Sequence, residues 1–113
     1  MDVINRKRLP FAGMSHEFVG KEHGVRNSIF FVTAAPDQKV SLHRHDYDEI
    51  IIVQEGRTMC IVGGEKQEVQ AGDVISIPAG IPHGFMNIGD TPLRQIDVHA
   101  SPEFVTQWLE EAQ

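Results

Sequence analysis

The sequence predicts an all-β domain, an antiparallel sandwich or barrel with one short helix at its carboxy-terminal end. Short runs rich in β-branched and aromatic residues recur at roughly ten-residue spacing between Ser28 and His99. Gly, Pro, Asp and Asn separate those runs, at the places where a chain must reverse. After His99 the period changes: Phe104, Val105, Trp108 and Leu109 recur at the spacing of one helical face, behind a capping Ser101 and a first-turn Pro102.

In chain order, residues 14–19 (MSHEFV) read as a strand, and Gly20, Lys21, Glu22, His23 and Gly24 as a polar turn. His16 and His23 lie in polar surroundings and are expected to be exposed, without a role. Residues 28–34 (SIFFVTA) form the next strand, and Pro36-Asp37 turns the chain into residues 40–43. The apolar run 50–53 follows, and Glu55-Gly56 leads into 57–62. Gly63-Gly64 marks a hairpin to 66–69. Ala71-Gly72-Asp73 precedes the strand 74–77, and Pro78, Gly80 and Pro82 punctuate a loop leading to His83 and the strand 84–88. Gly89-Asp90 then turns the chain into 93–99. The helix is expected over 102–111, laid against the outside of the barrel.

The chain has 113 residues and a mass of 12.6 kDa, the size of one domain, 1–113, with no room for a second module. A net charge of −6 argues against nucleic acid as a partner, since phosphate contact needs a basic face. Arg6, Lys7 and Arg8 form the single basic cluster and read as a solvated strand end. The longest apolar run is four residues, too short to cross a membrane, and a signal-peptide pattern is lacking. A cytoplasmic protein is therefore expected. Cys60, the one cysteine, has no partner for an intramolecular disulfide and sits among apolar neighbours as a packed thiol. Both faces of the runs 50–53 and 59–62 are apolar, although a barrel wall needs only one. The outer face must be covered by the chain's own segments, by the helix or by another subunit, and a homodimer is the favoured cover.

Residues 43–56 (HRHDYDEIIIVQEG) concentrate the chemistry. His43 and His45 are two residues apart and share one side of an extended strand. A bend through Asp46, Tyr47 and Asp48 can return Glu49 to them at the start of the next strand. His83, after the loop of Pro and Gly residues, can face them across a barrel.

These residues resemble the two motifs of the cupin superfamily. The first, G(X)5HXH(X)3-4E(X)6G, is matched by His43, His45, Glu49 and Gly56 with every spacer intact, and Asp37 stands where the motif has glycine. Aspartate also tolerates turn conformations, so the departure is expected to alter loop shape and not the metal site. The second, G(X)5PXG(X)2H(X)3N, is matched in full by Gly72, Pro78, Gly80, His83 and Asn87. The resemblance covers about 37–87. It implies a small jelly-roll barrel and His43, His45, Glu49 and His83 as ligands of one divalent transition metal per chain, whether Fe, Mn, Ni, Co, Cu or Zn.

Three neutral imidazoles and one carboxylate leave a divalent ion with a net charge of about +1, which favours an anionic oxygen ligand. An octahedral ion keeps two positions open for chemistry, whereas a four-coordinate one keeps none. Around the ligands, strand parity turns Ile51, Val53, Thr58, Cys60, Val62, Phe85 and Asn87 inward. Ile51, Val53, Cys60, Phe85 and Asn87 are the candidate pocket, with Phe85 more readily a core aromatic and Asn87 a hydrogen-bonding strut. His99 is expected at the surface or in a subunit contact. A mainly apolar lumen fits a small organic ligand. The expected function is a metal-dependent, dioxygenase-like oxidoreductase acting on a small apolar-bodied anion, with Glu49 as candidate base. A non-catalytic binding or sensor module, an isomerase, epimerase or lyase, and a purely structural metal are the alternatives.

Overall fold

Eleven strands build the domain in the computed structural model, which describes residues 1–110. They are β1 (Phe11–Ala12), β2 (Ser15–Phe18), β3 (Ser28–Ala34), β4 (Lys39–Arg44), β5 (Glu49–Glu55), β6 (Arg57–Val62), β7 (Glu65–Gln70), β8 (Val74–Ile77), β9 (His83–Asn87), β10 (Leu93–His99) and β11 (Gln107–Trp108). One sheet has the order β1-β2-β3-β10-β5-β8 and the other β11-β4-β9-β6-β7. Every pairing is antiparallel. The result is the double-sheet jelly roll.

The core lies between the sheets because each strand sends alternate residues inward. Phe30, Val32, Ile51, Val53, Ile77 and Leu93 come from the first sheet and meet Cys60, Val69 and Phe85 from the second. In β5 the alternation is clean: Ile51 and Val53 are buried, while Ile50 faces out and is 43% exposed. The outward edge strand β7 carries Glu65, Lys66, Gln67, Glu68 and Gln70, all exposed, a charged rim that discourages pairing with another sheet edge.

Turn chemistry sets the corners. Asp37 has φ 70°, the left-handed conformation for which the first motif supplies glycine, so the aspartate keeps the turn. Gly56 has φ 88°, and a Cβ there would stand 2.8 Å from the Pro92 carbonyl oxygen.

The carboxy-terminal helix is not formed. Among the described residues, 101–106 bend back across the sheet and β11 adds to the edge of β4, with Gln107 paired to Arg44 and Trp108 to His43. The free main-chain groups of the β4 edge capture the segment: Leu109 N–H donates to the Leu42 carbonyl at 2.9 Å, and the Glu110 carboxylate accepts from Leu42 N–H at 2.7 Å. Position 111, the last of the expected helix, lies outside the described residues. No helix among the described residues is long and apolar enough to cross a membrane.

Candidate metal centre

His43, His45, Glu49 and His83 converge, one donor atom of each lying within 4.8 Å of the others, and all four are buried. Two cross-strand registers bring them together. His43 in β4 pairs directly with His83 in β9, in one sheet. Glu49 opens β5 in the opposite sheet, beside His99 of β10. His45 lies one residue beyond the end of β4, and the bend through 46–48 carries the chain over to Glu49. A bulge in β4 adjusts the first register, since Val40 pairs with Phe85 and His43 with His83. One extra residue is thereby placed in β4, and Val40 and His43 both face the lumen.

Three main-chain carbonyls orient the three rings. Nδ1–H of His43 donates to Ser41 at 2.8 Å, that of His45 to Val105 at 2.7 Å, and that of His83 to Ile81 at 2.9 Å. A ring that donates from Nδ1 keeps Nε2 as its atom for a metal, so three Nε2 atoms are aimed inward. They meet the carboxylate there. Glu49 Oε1 is 3.0 Å from His83 Nε2 and 3.2 Å from His45 Nε2, the latter without hydrogen-bond alignment. Nitrogen lone pairs facing a carboxylate oxygen repel unless a cation sits between them, either a proton or a metal ion.

The ionisation of these groups follows the same logic. Burial pulls the His43 pKa down to about 4, which keeps the ring neutral. Burial acts on His83 in the same sense, but the Glu49 carboxylate and the Ile81 carbonyl outweigh it and raise its pKa. Burial also opposes ionisation of Glu49, yet contacts from His45 and His83 hold its carboxyl well below the usual range. The proton shared along His83–Glu49 is what a divalent ion would replace. The donor set of three imidazole nitrogens and one carboxylate oxygen fits such an ion.

The lumen also takes in side chains of β10. His99 is buried, 2% exposed, and not at the surface, and its Nε2 points to Glu49 Oε2 at 3.8 Å. Its Nδ1 shares a hydrogen bond of 3.0 Å with the Tyr47 hydroxyl, and burial pulls its pKa down to about 4. Asp97, two residues earlier, is buried beside it and accepts from the Gln95 amide at 2.9 Å. Burial, and after it the Glu49 charge, pushes the Asp97 carboxyl well above its usual pKa. The parity of β10 contained this signal, because Gln95, Asp97 and His99 share a face. The opposite face carries Ile96 and Val98, so the habitual rule of apolar inside and polar outside inverted the strand. His16 and His23 stay outside the cluster. They are half-buried rather than exposed, His16 against Phe11 and His23 stacked on Phe18.

A cavity of about 290 Å³ opens beside His43, Glu49, His83, Asp97 and His99. Its walls are largely apolar, with Phe30, Val32, Val40, Ile51 and Phe85 contributed by strands, and Phe104 and Trp108 by the carboxy-terminal segment. Of the expected pocket, Ile51 and Phe85 line this cavity. Val53 and Cys60 do not line it and belong to the packed core between the sheets. Asn87 is a strut: its amide donates to the carbonyls of Ala34 at 3.0 Å and Thr91 at 2.9 Å, and its oxygen accepts from Gly89 N–H at 2.9 Å. Thr58 is fully buried and donates to the Met86 carbonyl at 3.0 Å.

Comparison with known proteins supports the same centre. The sequence model of the cupin domain matches residues 30–99, a span that includes all four converging residues. An uncharacterised protein of Streptomyces coelicolor is 39% identical over 103 residues, covering 91% of this chain and 94% of that one. Acireductone dioxygenase of Geobacillus thermodenitrificans is 33% identical over 67 residues, covering 54% of this chain and 37% of the enzyme. Among solved structures, a Bacillus subtilis oxalate decarboxylase studied for its Mn(II) centres superposes with a TM-score of 0.78 at 22% identity, over 91% of this chain and 30% of the enzyme. That likeness concerns the fold. The chain spans less than two thirds of several curated relatives, 58% in the case of an uncharacterised Methanocaldococcus jannaschii protein.

Proposed function

The chain belongs to the cupin family, and from that premise we propose that it binds one divalent transition metal through His43, His45, Glu49 and His83 and acts on a small, largely apolar anion as a dioxygenase-like oxidoreductase. The convergence of those four side chains at the head of an apolar cavity carries this reading. A divalent ion held there would act as a Lewis acid toward an anionic oxygen of the ligand.

The chain's own residues account for the rest. The aromatic and aliphatic walls exclude water and hold the apolar body of the ligand, with Phe85 and Ile51 on the strands and Phe104 at the mouth. Glu49 is the proposed proton acceptor, and Asp97 and His99 stand beside it in the same lumen. The similarity to acireductone dioxygenase supports an oxidative reaction over a purely structural ion. Cys60, a buried free thiol, suits a reducing cytoplasmic setting. The uncovered apolar positions Ile50 and Val74 on the outer wall support a homodimer.

Two measurements test the reading. After dialysis against metal-free buffer, wild-type protein is expected to retain its tight ion, and His45→Ala or His83→Ala to lose it while staying folded by circular dichroism. Equal metal content in either variant defeats the ligand assignment. Protein loaded anaerobically with Fe(II) is expected to consume dioxygen with at least one member of a panel of enediols, 1,3-diketones and catechols. Ligand-induced thermal stabilisation with no oxygen uptake across the panel points instead to a binding module.

A further inference from the structure

We propose that the lumen holds a second divalent cation beside the first, bridged to it by Glu49 and bound by Asp97 and His99. The inference rests on the metal-binding reading above and extends it.

Glu49, Asp97 and His99 form a second buried set in which one donor atom of each lies within 4.8 Å of the others. The two sets have Glu49 in common and no other residue. The glutamate addresses them with different atoms. Oε1 faces His45 and His83 at 3.2 and 3.0 Å, while Oε2 faces His99 Nε2 at 3.8 Å. A carboxylate whose two oxygens look into two separate donor sets has the arrangement of a bridging ligand, and paired catalytic ions lie about 3.5–4 Å apart.

His99 supplies the independent observation. Its ring is 2% exposed, and Nε2 has no hydrogen-bond partner although it lies in the protein interior. Such an orphaned buried nitrogen is costly. The Tyr47 hydroxyl, 3.0 Å from Nδ1, can accept from that nitrogen, which leaves the lone pair at Nε2 facing Glu49. The ring is also clamped on its faces and edges by Phe30, Phe104 and His45. Asp97 is similarly held, its Oδ1 accepting from the Gln95 amide at 2.9 Å. Two carboxylates and one imidazole are a donor set for a hard or borderline divalent ion. Two divalent ions with Glu49 and Asp97 ionised leave a net charge of about +2, which a doubly charged small ligand would balance.

Equilibrium dialysis of the whole chain against Mn(II) at rising free concentration, with metal analysis and electron paramagnetic resonance of the bound ions, decides the matter. The expected result is two ions per chain at saturation, the pair broadened by mutual coupling. Asp97→Asn and His99→Gln are each expected to reduce this to one ion with a resolved single-ion spectrum. Saturation of the wild type at one ion overturns the second site and leaves the first intact, even if His99→Gln weakens that ion, since His99 would then be a further ligand of the first. Two ions retained in both variants overturn the assigned residues. Binding of no ion overturns this inference and the four-ligand reading together. The wild-type stoichiometry decides the question even if a variant does not fold.

Discussion

Asn87 shows how a motif residue can be essential without touching ligand. Its side chain is fully buried and satisfies two carbonyls and one N–H, which join the end of β9 to the end of β3 at Ala34 and to the loop before β10 at Gly89 and Thr91. Asn87→Ala strands those groups, and the expected loss is about 1–3 kcal/mol, read as a lower urea midpoint with unchanged metal stoichiometry. Cys60 makes a different prediction. Burial, and secondarily the nearby Asp97, pushes its thiol up from 9 to about 11. The folded chain therefore keeps a proton that the unfolded chain releases between those values. The contribution to stability is complete below pH 9 and falls as pH rises through 11, by up to about 1.4 kcal/mol per unit. Denaturation midpoints between pH 8.5 and 10.5 are expected to fall more steeply for wild type than for Cys60→Ala, and equal slopes refute the shift. At this scale the convergence of His43, His45, Glu49 and His83 is readable, because side-chain type and spacing declare it. The carbonyls of Ser41, Ile81 and Val105 that orient the rings are not, because main-chain acceptors have no sequence signature.

At the scale of elements, the strands over 28–34, 57–62, 74–77 and 93–99 form where β-branched runs and turn residues place them. The helix failed for a physical reason. Phe104 and Trp108 have helical spacing, but they gain more by closing the mouth of the lumen, Phe104 against Phe30, His45 and His99 and Trp108 against His43. Tertiary packing and the open edge of β4 override local propensity there. The bulge in β4 was also invisible, and Gly84 is its counterpart on β9. A Cβ at Gly84 would stand 2.7 Å from the Val40 carbonyl oxygen. Gly84→Ala must therefore push the bulge away and turn His43 with it. We expect about 1–3 kcal/mol of destabilisation together with weakened metal binding, a combination that Asn87→Ala does not share. Gly84→Ala protein with wild-type metal affinity would dissociate the bulge from ring placement.

For the whole molecule, the two sheets divide the labour, one presenting His43 and His83 and the other Glu49, Asp97 and His99. An ion between them would tie sheet to sheet, so metal loading is expected to raise the melting temperature more than any one ligand's burial would. The outer wall is where the monomer is least finished. Ile50 is 43% and Val74 64% exposed on neighbouring strands β5 and β8, with Ile52 half-buried between them. Ile50→Glu combined with Val74→Glu is expected to shift sedimentation from dimer to monomer without loss of metal. A wild-type chain that sediments as a monomer at micromolar concentration refutes the dimer. Apolar residues on both faces of 50–53 signalled this wall in the sequence, whereas the occupant of the outer face depends on a surface that one chain does not contain.

The extra residue in β4 has a consequence for how this chain can change in length. Elsewhere in the barrel, a one-residue deletion between Glu49 and Val53 would reverse strand parity and send Glu49 or Ile51 out to solvent. Between Val40 and His43 the opposite holds, because three steps on β4 already face two on β9. Losing Ser41 or Leu42 would leave a regular ladder with His43 still opposite His83. Insertions and deletions drifting through such a strand can therefore be absorbed at one point without a change of reading frame for the lumen, at the expense of the carbonyl that aims the His43 ring.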